Sequence, residues 1–477
     1  MALVGALARA GGGEQHSSVA RKLVPFVRPP IFPGLCAFAV ALLTGSSGAA
    51  SAPVTVLGLA DTPDYPRVEL TTTLLGSIVG LGVRQNGVKG ITLGPRGWQA
   101  SAELGSGIGR VGAVLLAGET GDRAEALVVR VKGERRVVAR KALSWSPAEG
   151  WRSAADRFPN FGDPLRMSVA ADASGQMHAA WLADVAGSAS GRAIEVATRS
   201  PSGVWSAPLR LAFDPSTAVL SETPRLVVGE GGDIAVMWGR ATSPTAREIE
   251  IAVQPFGGAF GAPEVLSTSG VRSDGDMAVS PTGSVLAAWI ETARRGSELH
   301  WRSRSRDGEW SATRLLASGS LARSSVTTNA IGEAFIAWAD GARDAPATLV
   351  LAQVDTTTGE SRLSARIAAS SPVGRLSQVG LTSPAGGNIV LAWRELRGTG
   401  STATARIRSW RVRLTAAGRQ LTELPQVEKV ERSSIRGFAS MPVRLVASRS
   451  GVLALGWGSC VRARPSARCQ VRVASLR

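Results

Sequence analysis

Apolar and polar positions along the chain fall into one recurring pattern. A short alternating run leads to a turn carrying glycine, and a run of apolar and small residues then closes on tryptophan. Six segments place Trp six positions after Gly: GQMHAAW ending at Trp181, GDIAVMW at Trp238, GSVLAAW at Trp289, GEAFIAW at Trp338, GNIVLAW at Trp393 and GVLALGW at Trp457. β-rich runs separated by Gly, Ser, Asp and Asn clusters predict strands joined in hairpins, with each of these segments the second strand. Downstream comes another β run, then a Gly-containing turn and often an aromatic residue, as at Trp205, Phe260 and Trp310. Each unit therefore holds four short strands. Two weaker units precede these, RVELTTTLLGSIVGLGV with its turn before Trp98, and RVGAVLLAGETGDRAEALVVRV with its turn before Trp151.

Successive Trp spacings of 57, 51, 49, 55 and 64 residues lie near, and on the long side of, the repeat length of propeller blades. A four-stranded antiparallel unit cannot bury both faces alone, so the expected fold is all-β, a β-propeller of four-stranded blades. The count is eight blades, or seven if the two weak units are misread. The last unit, from about Pro442 to Arg477, has room for three strands, whereas PVTVLGL at residues 53–59 is a strand without a neighbour of its own. Placing that N-terminal strand on the last blade removes two open sheet edges and closes the ring. The expected organisation is a leader over residues 1–52 and one propeller domain over 53–477.

The leader follows from charge order. Arg21, Lys22 and Arg28 precede an apolar stretch from Leu35 to Leu43, and small residues end in Ala50-Ser51-Ala52, as in a secretory signal peptide. Pro53 is a poor context for cleavage after Ala52, so Ala49 and Ala50 are equal options for the site. The apolar stretch is about half of what a spanning helix needs, and no comparable run follows, which excludes an integral membrane protein. With Cys36 in the leader, Cys460 and Cys469 are the pair left in an exported chain and are expected to form a disulfide. Composition adds that 44% hydrophobic residues suffice for a large core and that global disorder is excluded.

The pattern PxVAxDxxGxxxAxW followed by RxxxGxWSAP resembles secreted, actinobacterium-type propellers of the sialidase-like superfamily, over roughly residues 66–477. The turn Ser305-Arg306-Asp307-Gly308-Glu309-Trp310 is similar to their Asp-box, though two positions shorter, and the other turns lack the Asp. The resemblance implies a fold more than an activity. Sialidase hydrolysis uses a Tyr nucleophile, and the one Tyr here, Tyr65, stands at the entry to the first unit, so that chemistry is not expected.

Other catalytic chemistry is thinly supplied. Glycosidases need two nearby carboxylates, and the candidates near first-strand starts are Asp163, Glu222, Asp274 and Asp276, all equally readable as solvated loop acids. His178 and His300 fall in strands of different units, and no metal-binding, nucleophile-elbow or phosphate-loop motif occurs, so no metal or cofactor is expected. The repeat Trp residues are assigned to packing between blades, while Trp301 and Trp410 fall outside both Trp registers and are taken as surface candidates.

Charge points to binding. The formal net charge is +17, supplied almost wholly by Arg. Each unit carries an Arg near the start of its first strand: Arg67, Arg110, Arg166, Arg225, Arg272, Arg323, Arg375 and Arg444. Each lies an odd number of residues before its hairpin Gly, so with a strand period of two all eight side chains share one face if no bulge intervenes. Guanidinium forks match carboxylate, sulfate and phosphate, which predicts a secreted, monomeric, non-enzymatic propeller that holds an anionic glycan, envelope polymer or extracellular protein. Export argues against nucleic acid as the normal partner. The structural alternative has these Arg bridging neighbouring blades through carboxylates or stacking on Trp. The alternative function is a glycoside hydrolase or lyase acting on acidic polysaccharide.

Overall fold

The computed structural model describes residues 54–57, 67–84, 87–104, 109–119, 121–133, 136–161, 163–185, 191–214, 223–241, 247–267, 273–293, 296–341, 348–368, 375–383, 388–397, 404–415, 418–423, 431–432, 443–448, 450–462 and 467–476. Among them, strands form eight antiparallel sheets, seven of four strands and one of five. The first strands of the eight blades are Arg67–Thr72, Arg110–Glu119, Met167–Ala171, Arg225–Val228, Ser273–Val279, Leu321–Thr328, Arg375–Thr382 and Val443–Ala447. Each of these touches the first strand of the next blade, and the eighth touches the first, so they ring the axis. The eight-bladed count stands.

Ring closure follows the expected route. Val54–Leu57 pairs antiparallel with Val471–Ala474 and completes the eighth sheet from outside. The outermost strand of the last blade is therefore the first described strand of the chain, and it gives that blade its fourth described member.

The hairpin glycines are dictated by backbone geometry. In blade 3 Gly175 (φ 86°) donates to Asp172 O while the Asp172 amide closes on Gln176 O, and in blade 6 Gly332 (φ 86°) does the same from Asn329. A side chain at that left-handed position would be strained, which is why Gly recurs there. Six residues later Trp is held in the second strand, the strand buried on both faces. In blade 6, Ile336 and Trp338 pack back on Ile290, Leu299 and Trp301 of blade 5, while Phe335 and Ala337 pack forward on Ile389, Leu391 and Trp393 of blade 7. Two buried faces explain why these strands read as unbroken apolar runs instead of alternating ones. Burial of each such Trp is worth about 3–5 kcal/mol against Ala.

Trp301 corrects the sequence expectation. It is 1% exposed and belongs to the core between blades 5 and 6, because the third strand as well as the second presents a face to the next blade. Of Trp410 the backbone register alone is described, opposite Leu391.

Besides blade 8, two blades depart from the common form at their outer edge among the described residues. In blade 7 the fourth strand, Gly418–Glu423, pairs with Trp410–Thr415, and a separate short strand, Glu431–Arg432, pairs with Thr404 and Ala405. In blade 2 the third strand runs Arg136–Ser146, but the fourth, Gly150–Ser153, pairs with Leu143–Ser146 alone.

Candidate functional site

Strand register determines which of the eight Arg share a face. On Arg67–Thr72, Arg225–Val228 and Val443–Ala447 the pairing is regular, so parity holds for Arg67, Arg225 and Arg444. Register shifts between Val111 and Ala113, Ala322 and Ser324, and Ser377 and Val379 mean that spacing from the hairpin Gly does not decide the face of Arg110, Arg323 and Arg375. An inserted residue turns every side chain before it to the other face. The ladder sets Arg110 opposite Val131, on the face turned to the next blade that Arg225 and Arg444 also use, and Arg375 opposite Leu396. Arg323 is itself the skipped residue in its ladder, with φ 53°, and is exposed. Arg166 closes a 3₁₀ turn, Pro164–Arg166, just ahead of its strand. Arg272 lies outside the described residues, and of Arg67 and Arg375 the backbone alone is described, opposite Val83 and Leu396.

Where side chains are described, carboxylates and carbonyls meet the guanidiniums. Arg444 Nε donates to Glu69 Oε2 at 2.9 Å, joining blade 8 to blade 1. Arg225 Nη1 donates to Asp276 Oδ1 at 2.6 Å, joining blade 4 to blade 5. These two joints stand four blades apart, on opposite sides of the ring. All four residues occupy one register, a single position beyond the residue that aligns with the sixth position after the hairpin Gly. Arg225 and Arg444 keep 51% and 46% of their side-chain surface exposed, so each still presents donors outward. Arg110 Nη2 lies 3.4 Å from Gly133 O, and Arg166 Nε lies 3.6 Å from Asp163 Oδ2.

The candidate acids are likewise engaged. Asp163 caps the 3₁₀ turn, accepting from the Leu165 amide at 2.9 Å. Asp276 accepts from Arg225 of blade 4 on one oxygen and from the Val326 amide of blade 6 on the other, at 3.0 Å, so it ties three consecutive first strands together. Burial pushes its carboxyl above the ordinary Asp range, against the opposing pull of Arg225 and the Val326 and Met277 amides. Glu222 lies outside the described residues, and Asp274 is described by its backbone, opposite Ile290. Among the described side chains, Asp276 meets Arg225 and no second acid.

Below these pairs, toward the hairpin end of the first strands, a cavity of about 680 Å³ opens between blades 4 and 8. Val227, Val279, Thr327, Thr328, Ser383 and Ser448 line it, and Glu230 is its charged side chain among the described residues. At the first-strand starts the described guanidiniums are matched by carboxylates or carbonyls, and the cavity's described lining carries the single charge of Glu230.

Two buried polar clusters lie outside the ring. Arg199 of blade 3 is held by Glu119 and Glu125 of blade 2, with Glu125 Oε2 at 2.7 Å, and burial together with the Glu125 charge raises the Glu119 pKa despite Arg199. His178 Nε2 lies 3.3 Å from Asp172 Oδ2 and its Nδ1 lies 3.0 Å from Thr198 Oγ1, inside blade 3. Burial lowers the His178 pKa, with Asp172 opposing. Burial alone would raise Asp172, but bonds from Ser174, His178 and the Gln176 amide outweigh it and hold it low. His300 stacks on Trp289, with centroids 6.0 Å apart, and approaches Glu298 at 3.1 Å. Both histidines are satisfied strand residues, and among the described residues no group of three His, Cys, Asp or Glu could hold a metal. Glu69, which sequence reasoning passed over, is the acid that matters at the blade 8–1 joint. Its signal was positional, for it occupies in blade 1 the register that Asp276 occupies in blade 5.

Comparison with known proteins finds distant likeness among solved structures and none in sequence families. No family matches the sequence, and no curated protein matches it. Among solved structures, the polysaccharide lyase Uly1 is similar at a TM-score of 0.46 and 10% identity, over 78% of this chain and 92% of that one. An ulvan lyase of polysaccharide lyase family PL25 gives 0.41 and 11%, over 74% and 89%. The NanB sialidase of Streptococcus pneumoniae gives 0.36 and 9%, over 72% and 67%. Identities this low concern the fold alone. Among the described residues no helix is long and apolar enough to cross a membrane.

Proposed function

We propose that this chain is a secreted binding propeller that holds an acidic polysaccharide or envelope polymer at the entrance formed by the first-strand starts. One observation carries the reading. At that entrance the described carboxylates Glu69, Asp163 and Asp276 are each committed to an Arg, while Arg225 and Arg444 remain about half exposed. Half-exposed guanidiniums with donors to spare suit capture of carboxylate or sulfate groups. A hydrolase would instead need two carboxylates facing a shared substrate position.

The reading includes export through the leader at residues 1–52, which lies outside the described residues. It includes a disulfide as well, since Cys460 stands directly opposite Cys469 across the last hairpin. Opposed residues of an antiparallel pair have Cα atoms about 4.5–5.5 Å apart, within the span of a disulfide.

The test incubates the purified chain from Ala52 onward with acidic and neutral polysaccharides, scoring retention and newly formed chain ends together. Retention of acidic polymers that weakens with salt, without new ends, supports the proposal. New ends would replace it with the hydrolase or lyase reading. Retention indifferent to polymer charge would overturn the role of the Arg-rich entrance.

A further inference from the structure

The outer edge of blade 2 is built differently from those of its neighbours. In blades 3, 5 and 6 the fourth strand follows the third to within a residue of its start, as in the pairs Arg192 with Asp214, Ser297 with Gly319 and Thr348 with Ala368. In blade 7 the gap left by a fourth strand that stops early is filled by Glu431–Arg432 against Thr404 and Ala405. Blade 2 has the same gap, with no filler strand among the described residues. After Ser153 the Ala154 amide makes one more bond, to Ala142 O, and the chain then leaves the sheet. Arg140 holds its departing course by donating to Asp156, Phe158 O and Pro159 O.

Residues Arg136–Ala139 thus have no outer strand beside them among the described residues, and all four are exposed. Val137 and Val138 are 36% and 39% exposed, apolar side chains at a place where a neighbouring strand would cover them. Arg136 is exposed and Lys141 half-buried at the two ends of the segment, with Lys132 exposed opposite Arg136. The edge is basic with an apolar centre.

We propose that this edge is a strand-addition site for an extended acidic segment of a partner protein. Main-chain bonds would supply affinity along Arg136–Arg140, as in other strand-addition interfaces. Charge supplies selectivity. Carboxylates on the incoming strand meet Arg136, Lys141 and Lys132, and its apolar residues cover Val137 and Val138. Blade 7 shows that this fold accepts a short separate strand at the same place. The surface is distinct from the axial entrance and does not depend on the function assigned to it.

The probe is an N-acetylated seven-residue peptide alternating Glu and Val, with a control of the same composition carrying a central Pro. Backbone amide exchange is followed across 136–141, and binding by fluorescence anisotropy. The expected result is slowed exchange confined to this segment with the alternating peptide and none with the control. Val138 is skipped in the ladder with the second strand, which pairs Val131 with Val137 and Arg130 with Ala139, so Val138→Pro, with the fold checked by its unfolding midpoint, should abolish binding. Arg136→Glu with Lys141→Glu, which leaves the backbone untouched, should weaken binding about tenfold at low salt. Unchanged exchange at 136–141, or binding that survives both variants, would overturn the proposal.

Discussion

Asp276 is the place to test whether the ring is held by joints between first strands. Its carboxylate spans Arg225 and the Val326 amide, and its side chain is 19% exposed. Asp276→Ala removes both contacts. The Val326 amide, on a residue 7% exposed, is then left without an acceptor, at about 1–3 kcal/mol. The lost ion pair adds about 0–1 kcal/mol, since Arg225 is half solvated. The sum is about 1–4 kcal/mol. Asp276→Asn keeps an oxygen for Val326 and sheds a charge that burial already opposes, so it should cost under about 1 kcal/mol. The pH dependence separates the two contributions. A carboxyl whose folded pKa is raised loses stability as pH rises from its unfolded value of 3.8 through the folded one, so the Asn variant should gain on the native chain over that interval. Urea midpoints for the three proteins, at several pH values, make the assay. An Ala variant within about 0.5 kcal/mol of the native chain, or an Asn variant as damaged as Ala, would refute the joint as described.

The remaining predictions address other parts of the ring. A chain beginning after Leu57 should expose the edge of Val471–Ala474 and associate into dimers or larger species, seen by size-exclusion chromatography with light scattering. Non-reducing peptide mapping of the exported chain should recover Cys460 joined to Cys469, and Cys460→Ser with Cys469→Ser should cost about 2–3 kcal/mol in the denaturation midpoint. His178 is held neutral, with a folded pKa below its unfolded 6.5, so stability should decline as pH falls from 6.5 toward the folded value. His178→Gln should flatten that decline and lessen, without removing, the fall below pH 3.8 that comes from Asp172, which keeps its bonds from Ser174 and the Gln176 amide.

Architecture was legible in the sequence because its causes are local. A left-handed turn demands Gly, a second strand buried on both faces demands an apolar run, and each recurs at a fixed offset, as from Gly175 to Trp181 and from Gly332 to Trp338. The site was legible only in part. Odd spacing places Arg67, Arg225 and Arg444 on one face, but the bulges ahead of Ala113, Ser324 and Val379 leave no mark in composition, so the same count does not decide the face of Arg110, Arg323 and Arg375. Partnership was hidden by distance along the chain. Arg444 meets Glu69 across the whole ring, and no local pattern joins residues so far apart. Trp301 was misjudged for a related reason, since third-strand burial depends on which face meets the next blade, a matter of register with Ala288.

Because Val54–Leu57 lies against Val471–Ala474, the first strand made is the last to find its place. Seven sheets can assemble in order as the polypeptide lengthens, each laid on the one before it. The eighth must wait for both ends, and the contact that completes it spans nearly the entire polymer. Loop-closure entropy makes such a step slow when attempted early, but it rises only logarithmically with length and falls once the intervening blades have folded and brought the ends together. The final annealing of four residues then acts as a check on completeness. A copy missing its distal hairpin leaves Val54–Leu57 without its partner strand and the ring open between blades 7 and 1.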